Sequence, residues 1–143
     1  MQKPKYFKLE EFLESETSLN KKIKNYPSWE VIENLNELAL FLDGLREDWG
    51  SAINVSSGFR SEALNKEVRG VSSSLHKKGL AADIMPANGH FDAFVSFIKE
   101  WAKDKSFDQI LIETSKTSKW VHIGLKNNAG DQRGQLFDVT VYW

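Results

Sequence analysis

Seven large apolar side chains between positions 29 and 49 constrain the fold most strongly. Trp29, Ile32, Leu35, Leu38, Leu42, Leu45 and Trp49 recur at three- and four-residue steps, the spacing that gathers side chains onto one face of an α-helix. Ser28, directly after Pro27, offers its hydroxyl as N-cap, and Gly50 stands where a helix C-cap belongs. A stripe of this kind is a core face. A second stripe, Phe91, Phe94, Val95, Ile98 and Trp101 with Ala102, follows His90 and predicts another packed helix.

The remaining segments read as shorter pieces. Phe7, Leu9, Phe12 and Leu13 suggest a short helix in an N-terminal cap on the domain, stopped by the turn Asn25-Tyr26-Pro27. Ile53 to Ser56 alternates apolar and polar, as a half-buried strand does. Ser61-Glu62 opens a helix over about 61–68 that Gly70 ends, and Ser72 to Ser74 reads as loop. Leu80, Ala82 and Ile84 alternate with Ala81, Asp83 and Met85 until Pro86 closes the strand. Strand-like runs follow over 109–113, 119–126 and 136–143. Strands and helices do not alternate in a βαβ rhythm. The expected class is α+β: a small antiparallel sheet backed by two main helices, in one domain spanning 1–143.

Composition narrows the function. A net charge of −1 gives no electrostatic reason for a nucleic-acid or anionic-membrane partner. No apolar run is long enough to span a bilayer. Residues 1–12 lack the apolar stretch of a secretory signal, so the expected location is cytoplasmic until release, or at a cell wall. There is no cysteine, so any metal must be held by His, Asp, Glu and water.

Six residues separate His76 from Asp83 among glycines, and His122 follows in Trp120-Val121-His122. Val121, Ile123 and Leu125 want the core, which turns Trp120, His122 and Gly124 to the other face. Asp83 likewise stands opposite Ala82 and Ile84. If the two strands are neighbours, Asp83 and His122 converge and His76 reaches them from the preceding loop. Two imidazoles and one carboxylate, with a fourth position open, are the ligand types of a catalytic zinc site. On residue chemistry alone His76 can equally be a loop histidine and Asp83 a hydrogen-bond acceptor. The third histidine, His90, reads as a solvent-facing residue.

Ser-Gly-Phe-Arg-Ser at 57–61, Leu64-Asn65, Arg69-Gly70-Val71 and the run from Ser74 through His76 and Asp83 to Ile84 resemble the signature of the zinc D-Ala-D-Ala carboxypeptidase family. That family also includes the vancomycin-resistance dipeptidases and the phage L-alanyl-D-glutamate endolysins. Trp120-Val121-His122 is similar to its second histidine motif. Tyr6 to Phe12 with Asn25-Tyr26-Pro27 resembles its small single-domain branch.

The resemblance implies a hedgehog/D,D-peptidase-like fold holding one Zn2+ ion through His76, Asp83 and His122. It implies a monomeric hydrolase of amide bonds in the peptidoglycan stem peptide, a D,D-carboxypeptidase or an endolysin-type endopeptidase, working by metal-activated water. Arg60 would bind the substrate carbonyl or steady the developing oxyanion, with Ser74 and Trp120 contacting substrate. One departure stands out. Where many members carry an acidic general base three residues before the second histidine, this chain has Lys119. Glu113, on Leu111's side of the preceding strand, is the expected base, with Asp131 the weaker substitute. Lys119 also motivates the alternative of a zinc-containing, non-catalytic binding module on the same fold.

Overall fold

The computed structural model describes residues 2–142. The helices are α1 (Leu9–Leu13), α2 (Glu16–Lys21), α3 (Trp29–Trp49), α4 (Glu62–Glu67) and α5 (Phe91–Trp101). The strands are β1 (Ile53–Ser57), β2 (Ala81–Pro86), β3 (Gln109–Thr114), β4 (Lys119–Gly124) and β5 (Gln135–Thr140), and a 3-10 turn runs over Leu75–Lys78. The class is α+β, as expected. Trp143, the end of the expected last strand, lies outside the described residues.

The helix caps work as the sequence suggests. Ser28 Oγ accepts from the Val31 amide and Gly50 closes α3 in the left-handed conformation. The buried stripe of α3, however, is Val31, Leu35, Leu38, Ala39, Leu42 and Leu45, while Trp29 is 68% exposed. Trp29 lies two residues before Val31, roughly 200° around a helix of 3.6 residues per turn, so it faces away from the core. Trp49 at the other end does pack, edge-on against Phe94 with ring centroids 5.1 Å apart. The N-terminal segment also holds a helix the sequence reading left out, α2, capped by Ser15 Oγ on the Ser18 amide.

The sheet runs in the order β1-β2-β4-β3-β5. Its first four strands pair antiparallel, and β5 pairs parallel to β3, so the sheet is mixed rather than wholly antiparallel. The reason is positional. The loop after β4 starts at the end of the sheet where β3 begins, and Gln109 pairs with both Gly124 and Gln135. β5 therefore turns back against β4, finds both edges of β4 taken, and docks beyond β3 in the same direction as β3.

That loop is tied down by a buried acid. Asp108, 1% exposed, accepts from Arg133 Nε at 2.7 Å and Nη2 at 2.9 Å, and from the Arg133 amide at 3.3 Å. Arg133 holds the Asp108 carboxyl below the usual carboxylate range, against the effect of burial.

One face of the sheet carries Ala82, Ile84, Ile110, Ile112, Val121 and Ile123, all buried in one cluster with α3 and with Phe94 and Ile98 of α5. The opposite face is left for polar chemistry.

Two measurements check this packing. Leu42→Ala is expected to cost about 2–5 kcal/mol in chemical denaturation, whereas Trp29→Ala stays within about 0.5 kcal/mol of wild type. A depressed acid stabilises the fold above its unfolded pKa and loses that contribution as pH falls through its folded value. The stability gap between wild type and Asp108→Asn is therefore full at neutral pH and shrinks below about pH 4.

Candidate metal centre

Two strands bring the first pair of ligands together by register alone. Asp83 of β2 stands directly across from His122 of β4. Their neighbours Ala82, Ile84, Val121 and Ile123 all point into the core, so alternation puts Asp83 and His122 side by side on the other face, with Cβ atoms about 5 Å apart. On the far side of Asp83 the ladder of β1 slips between Val55 and Ser57. The slip sets Ser57 opposite Asp83 and lets Ser56 Oγ donate to the Asp83 carbonyl at 3.2 Å.

His76 arrives on the 3-10 turn, and each end of that turn is fixed. Ser74 Oγ accepts from the His76 amide at 3.2 Å. Gly79 ends the turn at φ 73°, and a Cβ there would sit 2.8 Å from the Val31 carbonyl oxygen. Only glycine lets the turn settle onto α3 in that conformation. The Arg60 amide donates to the His76 carbonyl at 3.0 Å. His76 Nδ1 lies 2.8 Å from the Gly58 carbonyl oxygen, which can only accept, so Nδ1 carries the proton. Nε2 is the ring nitrogen left to face Asp83.

The three side chains offer ligand atoms within 4.8 Å of one another. Asp83 Oδ1 is 2.9 Å from His122 Nδ1 and 3.4 Å from His76 Nε2. Three ligand-type atoms thus converge in a buried pocket, and a metal cation among them would take the place of any proton they share. The donor set, two imidazoles and one carboxylate, suits a divalent ion of the zinc type. The hydrogen bond from His76 Nδ1 to the Gly58 carbonyl fixes the ring, as an outer partner does for a metal-bound histidine. Burial alone would push the Asp83 carboxyl up, but His76 and His122 outweigh it and hold it far below the usual range. Burial would lower His122, and the bond to Asp83 raises it instead.

Arg60 sits on the other carboxylate oxygen. Its Nη2 is 3.6 Å from Asp83 Oδ2, Nε donates to Ser57 Oγ at 3.2 Å and Nη1 to Asn65 Oδ1 at 3.3 Å. Burial pulls its pKa down while Asp83 and Glu113 pull it up, so Glu113 shares the same electrostatic neighbourhood. Two buried asparagines that the sequence reading did not single out hold this loop. Asn65 also donates to the Val71 carbonyl at 2.9 Å. Asn25 donates to the Leu13 and Phe59 carbonyls at 3.1 and 3.0 Å and accepts from the Ser61 amide at 2.7 Å. Both stand in the motifs that carry the family resemblance, but nothing in those motifs told their bonding role.

Glu113 stands opposite Trp120, on the face of His122, and Trp120 Nε1 donates to its carboxylate. Burial and the Asp83 charge raise the Glu113 pKa against the pull of His122, Trp120 and His76. Lys119 is exposed. Three residues before His122 in a strand is an odd offset, so Lys119 points to the opposite face of the sheet. Asp131 is exposed in the loop after β4, and His90 is exposed at the start of α5. A cleft of about 370 Å³ is lined by His122, Leu111 and Glu113, and also by Ser74 and Arg133. Among the described residues no helix is long and apolar enough to cross a membrane.

A family model described as Peptidase M15 matches residues 5–124. No curated protein matches the chain.

The geometry predicts one tight divalent-cation site. Titration calorimetry with Zn2+ should give a stoichiometry near one for wild type, with affinity falling at least ~100-fold in His76→Ala and in Asp83→Ala. His90→Ala should bind as wild type does.

Proposed function

The chain belongs to the peptidase M15 family, and on that premise we propose that it is a zinc hydrolase cutting an amide bond in the stem peptide of peptidoglycan. The observation that carries the reading is Asp83 Oδ1 lying within 2.9 Å of His122 Nδ1 and 3.4 Å of His76 Nε2, with His76 Nδ1 taken up by the Gly58 carbonyl. His76, Asp83 and His122 would hold the ion. When bound, zinc supplies a Lewis acid that polarises the scissile carbonyl and lowers the pKa of water toward ~7.

The protein's own groups carry the rest. Glu113 accepts the proton of the attacking water and returns it to the leaving amine, a general acid–base role worth roughly 10²–10⁴ in rate. The Trp120 indole, donating to the Glu113 carboxylate, fixes the side chain for that exchange. Arg60 keeps N–H donors beyond those bonded to Ser57 and Asn65, and these stabilise negative charge as it develops on the substrate carbonyl oxygen. Ser74 shapes the His76 turn, and its wall of the cleft contacts the peptide together with Trp120. The whole chain acts as one domain and as a monomer, on bacterial cell-wall peptide as a D,D-carboxypeptidase or an endopeptidase.

Catalysis is favoured over a binding-only role because Lys119 does not compete for the base position. It faces the other side of the sheet, while Glu113 faces the cleft among Asp83, His122 and Arg60.

Zinc-loaded protein incubated with purified peptidoglycan should release new amine ends. Glu113→Gln should lower turnover at least ~100-fold with zinc content unchanged by elemental analysis. Wild-type turnover in that variant removes Glu113 from the base role, and no product from wild type leaves the zinc-containing binding module.

A further inference from the structure

The cleft is lined by a cation that the reaction does not use, Arg133. Arg133 lines it with Gln109, Asn127 and Asn128, at the end away from Glu113. Its side chain is 45% exposed, and it is held by Asp108, which is 1% exposed. Asp108 takes Nε–H and one hydrogen of Nη2, which leaves the end-on pair of Nη1 and Nη2 donors. Asp131, the other acid near it, makes no ion pair with it among the described residues. Asn127 spends its Oδ1 on the amides of Ala129 and Asp131 at 3.0 and 2.8 Å, so its Nδ2 donors remain for the cleft.

A fixed guanidinium with its outer fork open, beside an amide donor, matches the planar two-oxygen geometry of a carboxylate. We propose that Arg133 and Asn127 form a subsite for a carboxylate of the peptide substrate. This rests on the peptidase reading above and names a chemical feature of its substrate. The distance sets the register. His122 lies opposite Leu111, and Asp108, which holds Arg133, immediately precedes β3, three residues before Leu111. At ~3.3 Å per residue that is about 10 Å, and an extended peptide covers it in roughly three residues. The subsite therefore selects an acidic residue, or a free chain end, two or three residues from the cleaved bond.

The competing explanation is that the Asp108–Arg133 pair only anchors the loop after β4. The two differ in what they predict for amidated substrate. Take L-Ala-γ-D-Glu-L-Lys-D-Ala-D-Ala and two versions in which either the D-Glu α-carboxylate or the terminal carboxylate is an amide. With wild type, one amidation should raise KM at least tenfold with little change in kcat. Arg133→Met should raise KM for the free acid by a similar factor and become indifferent to that amidation, and Arg133→Lys should recover part of the discrimination. Where turnover is too low, calorimetry with the Glu113→Gln protein loaded with zinc reads the same comparison as binding. The proposal is overturned if wild type treats all three peptides alike, or if Arg133→Met keeps wild-type discrimination. Absence of cleavage with discrimination preserved in binding contradicts the hydrolase reading and leaves the subsite standing.

Discussion

The centre depends on one pairing: Asp83 across from His122 on adjacent antiparallel strands. Register on a sheet has a period of two, so a slip of one residue would send both side chains into the core and bring Ile84 or Val121 onto the polar face. The apolar partners on the other face prevent that slip. Ala82, Ile84, Val121 and Ile123 are buried against α3 and α5, and moving any of them outward would expose core surface. The hydrophobic face thus fixes the position of two candidate ligands that it never touches.

The third candidate ligand is held by a different kind of constraint. His76 belongs to no strand, and its turn is clipped from three sides: Ser74 below its amide, Val31 against Gly79, and the Gly58–Arg60 backbone against its ring and carbonyl. Gly58 itself leaves no room for a Cβ, because the Phe12 carbonyl oxygen would be 2.5 Å away, and the Phe59 amide donates to that same oxygen at 2.7 Å. The N-terminal segment, expected as a plain cap, therefore works as part of the support. Asn25 extends this by joining Leu13, Phe59 and Ser61, so α1 and the Arg60 loop are tied to each other.

Much of this was legible in the sequence where a period or a cap carried the information. The two main helices, the faces of Asp83 and His122, and Glu113 on Leu111's side all follow from alternation or three-to-four spacing. The start of the α3 stripe was misread because Trp29 is large and apolar, although Val31 has the correct phase with Leu35 and Leu38. The parallel placement of β5 had no local signal, since it follows from which strand edges remain open after β4 has paired twice. Asn25, Asn65 and the Asp108–Arg133 pair were missed for the same reason: a buried hydrogen bond between distant residues leaves no pattern in the chain.

Diffraction from crystals grown with zinc, with data collected on both sides of the zinc absorption edge, tests the central claim most directly. The account predicts one strong anomalous peak bonded to His76 Nε2, Asp83 and His122 Nδ1, with His76 Nδ1 still on the Gly58 carbonyl. Zinc bound elsewhere, or density in which His76 and Asp83 hold only a proton between them at full zinc saturation, would contradict it.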